Sequence, residues 1–156
     1  MPFEYLPVMA RNIAPKPARG LVRPSAPAWC PVTKPLDRSR IALLSSAALR
    51  LSAQQPFTPR IDLSYRRVPS DPSSGPIVID HHSGIGTVPR KDPEIVFPRT
   101  ALAALAENRL VGELPPWHFS FMGGLRLHEE IENELAPALA QELIAARVDL
   151  ALLVPY

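Results

Sequence analysis

Proline is the residue that most restricts what this chain can fold into. Of the 20 prolines in 156 residues, 13 lie at or before Pro76. Because proline fixes φ and has no backbone N–H to donate, it interrupts helices and central strands. Residues 1–40, where proline alternates with basic and small residues, are therefore predicted to form an irregular, extended arm. We expect regular structure to be concentrated after residue 40.

Charge divides the chain at the same place. Residues 1–40 contain seven Lys and Arg against two acids, whereas the remainder is net acidic and the whole chain carries +2. A short basic arm can contact nucleic acid or an acidic partner. No basic helix or aromatic-interleaved basic patch accompanies it, which argues against nucleic-acid binding. A solvated arm, or one that docks on a partner subunit, is the favoured interpretation.

Cysteine content and hydropathy indicate a cytoplasmic protein. Cys30 is the one cysteine of the sequence, so a disulfide within the chain is excluded and a reducing compartment fits. Its surroundings contain no basic group that would activate a thiol nucleophile. No secretory signal peptide is recognisable at Met1, and no apolar run approaches the roughly 18 residues that span a bilayer. We therefore expect no membrane contact.

Short apolar runs predict an α/β domain over residues 41–156. The predicted strands share a run of apolar or alternating residues bounded by turn signals. They are 41–46, 77–79, 117–121 and 150–154. Residues 47–51 are predicted as a loop or short helix, and residues 52–76 as connections.

Two helices are predicted between these strands. One begins at Pro98 and ends near residues 108–110, and the other spans about 135–146 with Leu139, Leu143 and Ile144 facing the sheet. The resulting order β, β, α, β, α, β favours a largely parallel sheet flanked by helices, Rossmann-like or flavodoxin-like. In such sheets the chemistry lies beyond the carboxyl ends of the strands.

The densest polar cluster is Asp80-His81-His82, directly after the predicted strand 77–79. A carboxylate beside an imidazole suits metal ligation or general acid–base catalysis near neutral pH. Adjacent residues of an extended chain point to opposite faces, so one ring would face a pocket and the other would face outward. A surface turn whose histidines have no special role is the alternative.

Two further residues are candidates for a site. His118 lies between aromatic residues of a predicted strand, where a packed, hydrogen-bonded core histidine is more common than a functional one. Arg66, beside Arg67, could hold a carboxylate through two hydrogen bonds or lie in a solvated loop. The three histidines 81, 82 and 118 could bind zinc or iron, but their spacing matches no metal motif, and we predict no metal.

Five further segments of the chain are informative together. They are "PVTKPLDRSRIALLSSAAL", "QPF", "DLSYRRVPSD", "IDHHSGIGTVPRKDPEIVFPRTALAALAENRLVGELPPWHFSFMG" and "ELAPALAQELIAARVDLALLVP". In this order, over roughly residues 29–156, they resemble the selenoprotein B family of the glycine, sarcosine, betaine and D-proline reductases. The histidine-containing loop, "VFP", Gly112 and "HFSFMG" are the most specific parts. The family tends to have a His-x-His arrangement near an Asp, where this chain has His81-His82 and Asp80.

The resemblance implies a reductase subunit that cleaves a carbon–nitrogen bond of an amino acid or amine. In that chemistry an ionised selenolate or thiolate attacks carbon and displaces the amine. The resemblance implies that this selenocysteine or cysteine follows Tyr156 immediately, beyond the strand 150–154. Residues 1–156 contain no such nucleophile, and we predict no cofactor within them. We therefore expect a truncated, inactive form, shortened naturally or at a UGA codon meant for selenocysteine.

These arguments assign roles to five residues. His82 and His118 are predicted to be catalytic, and Asp80, His81 and Arg66 are predicted to bind substrate. The predicted partners are a small amine or amino-acid substrate, and other subunits of a reductase complex or a second copy of the chain. One alternative is a non-catalytic binding or regulatory module derived from the family. A metal-dependent enzyme that uses the three histidines is the other.

Overall fold

The computed structural model describes residues 30–59, 61–81, 87–125 and 127–156, so most of the predicted arm lies outside it. The strands are β1 (Ile41–Ser45), β2 (Leu49–Leu51), β3 (Tyr65–Pro69), β4 (Ile77–Ile79), β5 (Trp117–Phe121) and β6 (Leu150–Val154). The helices are α1 (Thr87–Lys91), α2 (Arg99–Glu107), α3 (His128–Glu130) and α4 (Ala136–Ala145). Three 3-10 turns, at Leu36–Arg38, Pro72–Ser74 and Pro93–Ile95, and a π-helical turn at Ile131–Leu135 complete the order.

The main sheet has four strands in the order β3-β5-β1-β6. Strand β1 lies in the middle and pairs parallel with β5 on one side and β6 on the other, while β3 pairs antiparallel with β5. The prediction of an α/β fold with a largely parallel sheet is confirmed at this level. The Rossmann-like or flavodoxin-like assignment stays a prediction.

A second sheet of two antiparallel strands, β2 and β4, was not predicted. The sequence predicts β4 as a strand of the parallel sheet, residues 47–51 as loop or helix and residues 52–76 as connections. Residues 52–76 in fact contain β3. Strand β3 carries two arginines and ends in Pro69, which is tolerated because an edge strand needs fewer ladder hydrogen bonds. Strand β2 has only three residues, too few for a recognisable period.

The side chains of the main sheet alternate between two packed faces. On one face, Leu43 and Val68 pack with Phe97, with α2 and with the small sheet. On the other face, Phe119 packs with Leu135 and Leu139 of the π-helical turn and α4. Within the described residues, no helix combines the length and apolar character needed to cross a bilayer.

Helix α4 packs against the face of the sheet that carries Phe119 and is also hydrogen-bonded to β3. Leu139 is buried as predicted, but Ile144 is 75% exposed, so its predicted contact with the sheet is wrong. Five residues separate the two side chains, which turns Ile144 about 140° away from Leu139 around the helix. Glu142 ties α4 to β3, because its carboxylate accepts hydrogen bonds from Tyr65 and Arg67.

Residues 34–40 lie against the domain rather than apart from it. Ser39 is fully buried, and the Gly112 N–H donates to the Leu36 carbonyl over 2.8 Å. Lys34 forms an ion pair of 2.7 Å with Asp149, which directly precedes β6. The last residues of the predicted arm therefore close one end of the sheet, and the boundary at residue 40 stays a prediction.

Candidate functional site

The ends of two parallel strands of the main sheet meet the end of β4 from the small sheet at the carboxyl edge of β1 and β6. Beyond β1 lies Ser46, and beyond β6 lies Tyr156, whose backbone N–H donates to the Ser46 hydroxyl oxygen over 2.9 Å. Beyond β4 lies His81, whose ring contacts the Tyr156 ring edge-on with centroids 5.0 Å apart. This is the edge at which open α/β sheets bind ligands. The structure therefore places His81 beside this edge, although β4 belongs to the small sheet, and its predicted contact with substrate stays a prediction.

Strand β5 also reaches this edge, and its end lies tightly against β1. A Cβ atom on Gly123 would lie only 2.6 Å from the carbonyl oxygen of Ser46. Only glycine allows this close backbone approach. The position of Ser46, and through it that of Tyr156, is therefore fixed from two sides.

Asp80 lies beside this edge but faces inward to the small sheet. Its Oδ2 atom accepts hydrogen bonds from Arg50 Nε over 2.8 Å and from the Phe57 N–H over 2.9 Å. The Arg50 and Asp80 side chains are only 12% and 15% exposed, so their ion pair is well shielded from solvent. Asp80 thus holds β2 and the loop around Phe57, and its predicted contact with substrate stays a prediction.

Arg66 fixes the same loop from β3. Its guanidinium donates to the carbonyl oxygens of Gln55 and Pro56 and to the Ser64 hydroxyl. It also lies 4.1 Å above the centre of the Phe57 ring. Binding a substrate carboxylate with Arg66, as the sequence predicts, would require exchanging one of these internal contacts.

His118 lies away from the carboxyl edge, within β5 and opposite Leu43 of β1. It is fully buried in β5, where its Nδ1 atom accepts a hydrogen bond from the Leu43 N–H over 3.2 Å. Burial, assisted by the positive charge of Arg99, lowers the His118 pKa to about 4. The ring is therefore neutral at pH 7 and carries its proton on Nε2. That Nε2–H is buried and has no acceptor within the described part of the chain.

The predicted residues are therefore not all gathered at one place. His81 and Asp80 follow β4 at the carboxyl edge, whereas His118 lies opposite Leu43 inside the sheet. His82 falls outside the described residues. Within the ranges that the structure covers, no group of three or more His, Cys, Asp or Glu side chains is arranged to hold a metal ion.

Sequence reasoning missed two residues of the carboxyl edge, Tyr156 and Arg90. Arg90 is exposed in α1, and its Nη2 atom donates to the His81 carbonyl oxygen over 2.9 Å. The signal for Tyr156 was its place directly beyond an apolar strand. No signal marked Arg90, because the sequence predicts neither a strand nor a helix between residues 80 and 97.

A charged cavity opens at the opposite, amino end of the sheet. It has a volume of about 550 Å³, and its lining includes Lys34, Arg40, Glu113 and Asp149. Opposite charges pair here, as Lys34 does with Asp149 and Arg40 with Glu113. This cavity contains none of the predicted site residues.

Comparison with known proteins finds a relative among the reductases. The chain is 31% identical over 127 residues to the D-proline reductase subunit gamma of Acetoanaerobium sticklandii. The match covers 81% of this chain and 52% of that protein, so the chain spans about half the length of the curated relative it matches. No protein-family profile and no solved structure matches the chain. The similarity supports a relationship to the reductase family that the sequence segments resemble.

Proposed function

We propose that this chain forms part of a subunit of a cytoplasmic reductase that cleaves a carbon–nitrogen bond of an amino acid or amine. The observation that carries this proposal is the 31% identity to a D-proline reductase subunit. That relative is named as a subunit, which supports assembly of this chain with further subunits. A single cysteine in 156 residues fits a reducing compartment.

The proposed reaction needs a chalcogen nucleophile and a dithiol reductant. A selenolate or thiolate attacks the carbon that bears nitrogen, forming a chalcogen–carbon bond while the C–N electron pair leaves with nitrogen, which takes a proton. A thiolate of the dithiol then attacks the chalcogen, and the released carbon takes a second proton. Two electrons pass from the dithiol to the substrate, and a chalcogen–sulfur bond remains.

We place the nucleophile, a selenocysteine or cysteine, directly after Tyr156 in the full-length form. The geometry supports this because β6 delivers its next residues to the edge where Ser46 and His81 lie. His82, which the sequence predicts to be catalytic, is the proposed proton-transfer residue. A catalytic role for His118 requires a local opening of the sheet, because its ring is fully buried.

The first experiment is the intact mass and selenium content of the native protein, followed by an assay of D-proline reduction with a dithiol. We expect a mass above 17.1 kDa, selenium or an additional cysteine, and a ring-opened amino acid as product. A mass of 17.1 kDa without selenium, combined with no turnover of any amino-acid or amine substrate, contradicts the proposal.

One observation favours a non-catalytic binding module as the second candidate. Strand β6 is an edge strand without a charged residue, and Leu152 and Leu153 are 43% and 57% exposed. Uncharged edges of this kind pair readily with a like edge, so the proposed partner is a second copy of the chain. A reversible dimer of 17.1 kDa subunits in sedimentation, without turnover, favours this candidate, and a monomer contradicts it.

A further inference from the structure

The hydroxyl of Tyr156 is a polar group that the described chain leaves without a partner. The Tyr156 ring packs against the core on the first face of the sheet, and its backbone is held by Ser46. The hydroxyl oxygen is buried and makes no hydrogen bond to any residue that the structure describes. A buried hydroxyl without a hydrogen-bond partner is energetically unfavourable. A partner from outside the described residues is therefore expected.

His81 connects the same tyrosine to a positively charged side chain, that of Arg90. His81 contacts the Tyr156 ring with its own ring and accepts a hydrogen bond from Arg90 with its carbonyl oxygen. One residue thus joins the phenol to the guanidinium. Among the described residues, no carboxylate lies within ion-pair distance of Arg90. The guanidinium therefore keeps donors for an anion.

We propose that the Tyr156 hydroxyl and the Arg90 guanidinium bind the carboxylate of an amino-acid substrate. A phenol donates one hydrogen bond, and a guanidinium donates two in a planar fork, which together match the oxygens of a carboxylate. His81 acts as a positioning residue that holds both groups. This inference rests on the proposed function and names the part of the substrate that this edge of the sheet recognises.

Carboxylate recognition is tested by comparing substrates with and without that group. In the full-length protein within its complex, D-proline is compared with pyrrolidine, which has the same ring but no carboxylate. We expect Tyr156→Phe and Arg90→Gln each to weaken D-proline binding and lower its kcat/KM roughly 10- to 100-fold. Pyrrolidine binding should stay unchanged, so the preference for D-proline collapses. Arg90→Lys should retain part of that preference because it keeps the charge without the fork.

Two matched variants separate binding from folding. Tyr65→Phe removes a hydroxyl that bonds Glu142 on the far face of the sheet. Lys91→Gln removes a positive charge one residue from Arg90. Both should leave the D-proline to pyrrolidine ratio unchanged. A Tyr156→Phe protein that is less stable yet keeps the ratio would show that the hydroxyl bonds to polypeptide, which overturns the inference.

Different experimental results would overturn this inference and the proposed function. If the wild-type protein reduces D-proline, glycine, sarcosine or betaine but the Tyr156 and Arg90 variants match it on that substrate, the carboxylate site is wrong and the reductase proposal stands. If the wild-type complex binds and reduces none of them, the reductase proposal fails and the carboxylate site fails with it.

Discussion

His118 shows how burial sets the protonation of one residue and, through it, stability. Its pKa of about 4 in the folded protein lies below the ~6.5 of an unfolded histidine. The unfolded chain therefore binds more protons between these values, and the contribution to folding is complete above pH ~6.5 and falls as the pH falls toward 4. We expect a loss of roughly 3 kcal/mol in the free energy of unfolding across this window, measured by urea unfolding.

The control for this prediction is His118→Asn. The amide oxygen of asparagine can accept the Leu43 N–H in place of Nδ1. The variant should be less stable at pH 7, because the ring leaves a cavity, but its stability should change less between pH 7 and 4.5. An NMR titration that placed the His118 pKa near 6.5 would contradict the burial argument.

Local sequence identified several residues of the candidate site but none of their partners. Asp80 and His81 lie just past a strand, as the apolar run 77–79 predicts. The contacts of Asp80 come from Arg50 and Phe57, which lie 30 and 23 residues away in the sequence. Such pairings depend on how the two sheets pack, and no local pattern encodes them.

At the scale of elements, Gly112 joins the segment before β1 to the segment before β5. A Cβ atom at this position would lie 2.5 Å from the carbonyl oxygen of Ser39 and 2.7 Å from the carbonyl carbon of Arg38. Both are backbone atoms, so the two segments would have to separate. We expect Gly112→Ala to lower the free energy of unfolding by roughly 2–3 kcal/mol, measured by thermal or urea unfolding.

Gly124 provides the matched comparison. Its φ of 69° is a left-handed conformation, but a Cβ atom there would meet nothing within 4 Å. Gly124→Ala should therefore lower stability by only about 1 kcal/mol, the backbone contribution alone. Equal losses for both variants would mean that the contact of Gly112 with Ser39 does not restrict the fold.

At the scale of the whole molecule, apolar patterns predicted the parallel part of the sheet and missed the rest. The sequences of β1 and β6 are continuous apolar runs, as in strands of parallel sheets, and apolar and polar residues alternate in β5. Each of these strands was therefore recognisable from its own residues. Strands β2 and β3 form through pairing with distant β4 and β5, and their own residues are polar or few. The prolines that define the first half conceal these strands, because a proline-rich segment normally predicts connection.

Asp149 joins the segment before β1 to the start of β6. Its Oδ2 atom accepts hydrogen bonds from Lys34 Nζ over 2.7 Å and from the Arg40 N–H over 2.8 Å. The bond from Lys34, followed by that from Arg40, lowers the Asp149 pKa. The contribution of this carboxylate to stability is therefore present above its unfolded pKa of ~3.9 and is lost as the pH falls through the lower folded value.

Removing this carboxylate should loosen β6, since β6 begins directly after Asp149 and pairs along its whole length with β1. We expect Asp149→Ala to accelerate hydrogen exchange of the β6 amides that bond to β1 by roughly tenfold at pH 7, while the amides of β3 and β5 change little. Asp37→Asn removes an exposed carboxylate from the neighbouring 3-10 turn and should leave β6 exchange unchanged. Equal acceleration in all strands would show that Asp149 stabilises the domain as one cooperative unit, and no acceleration would show that β1 alone holds β6 in place.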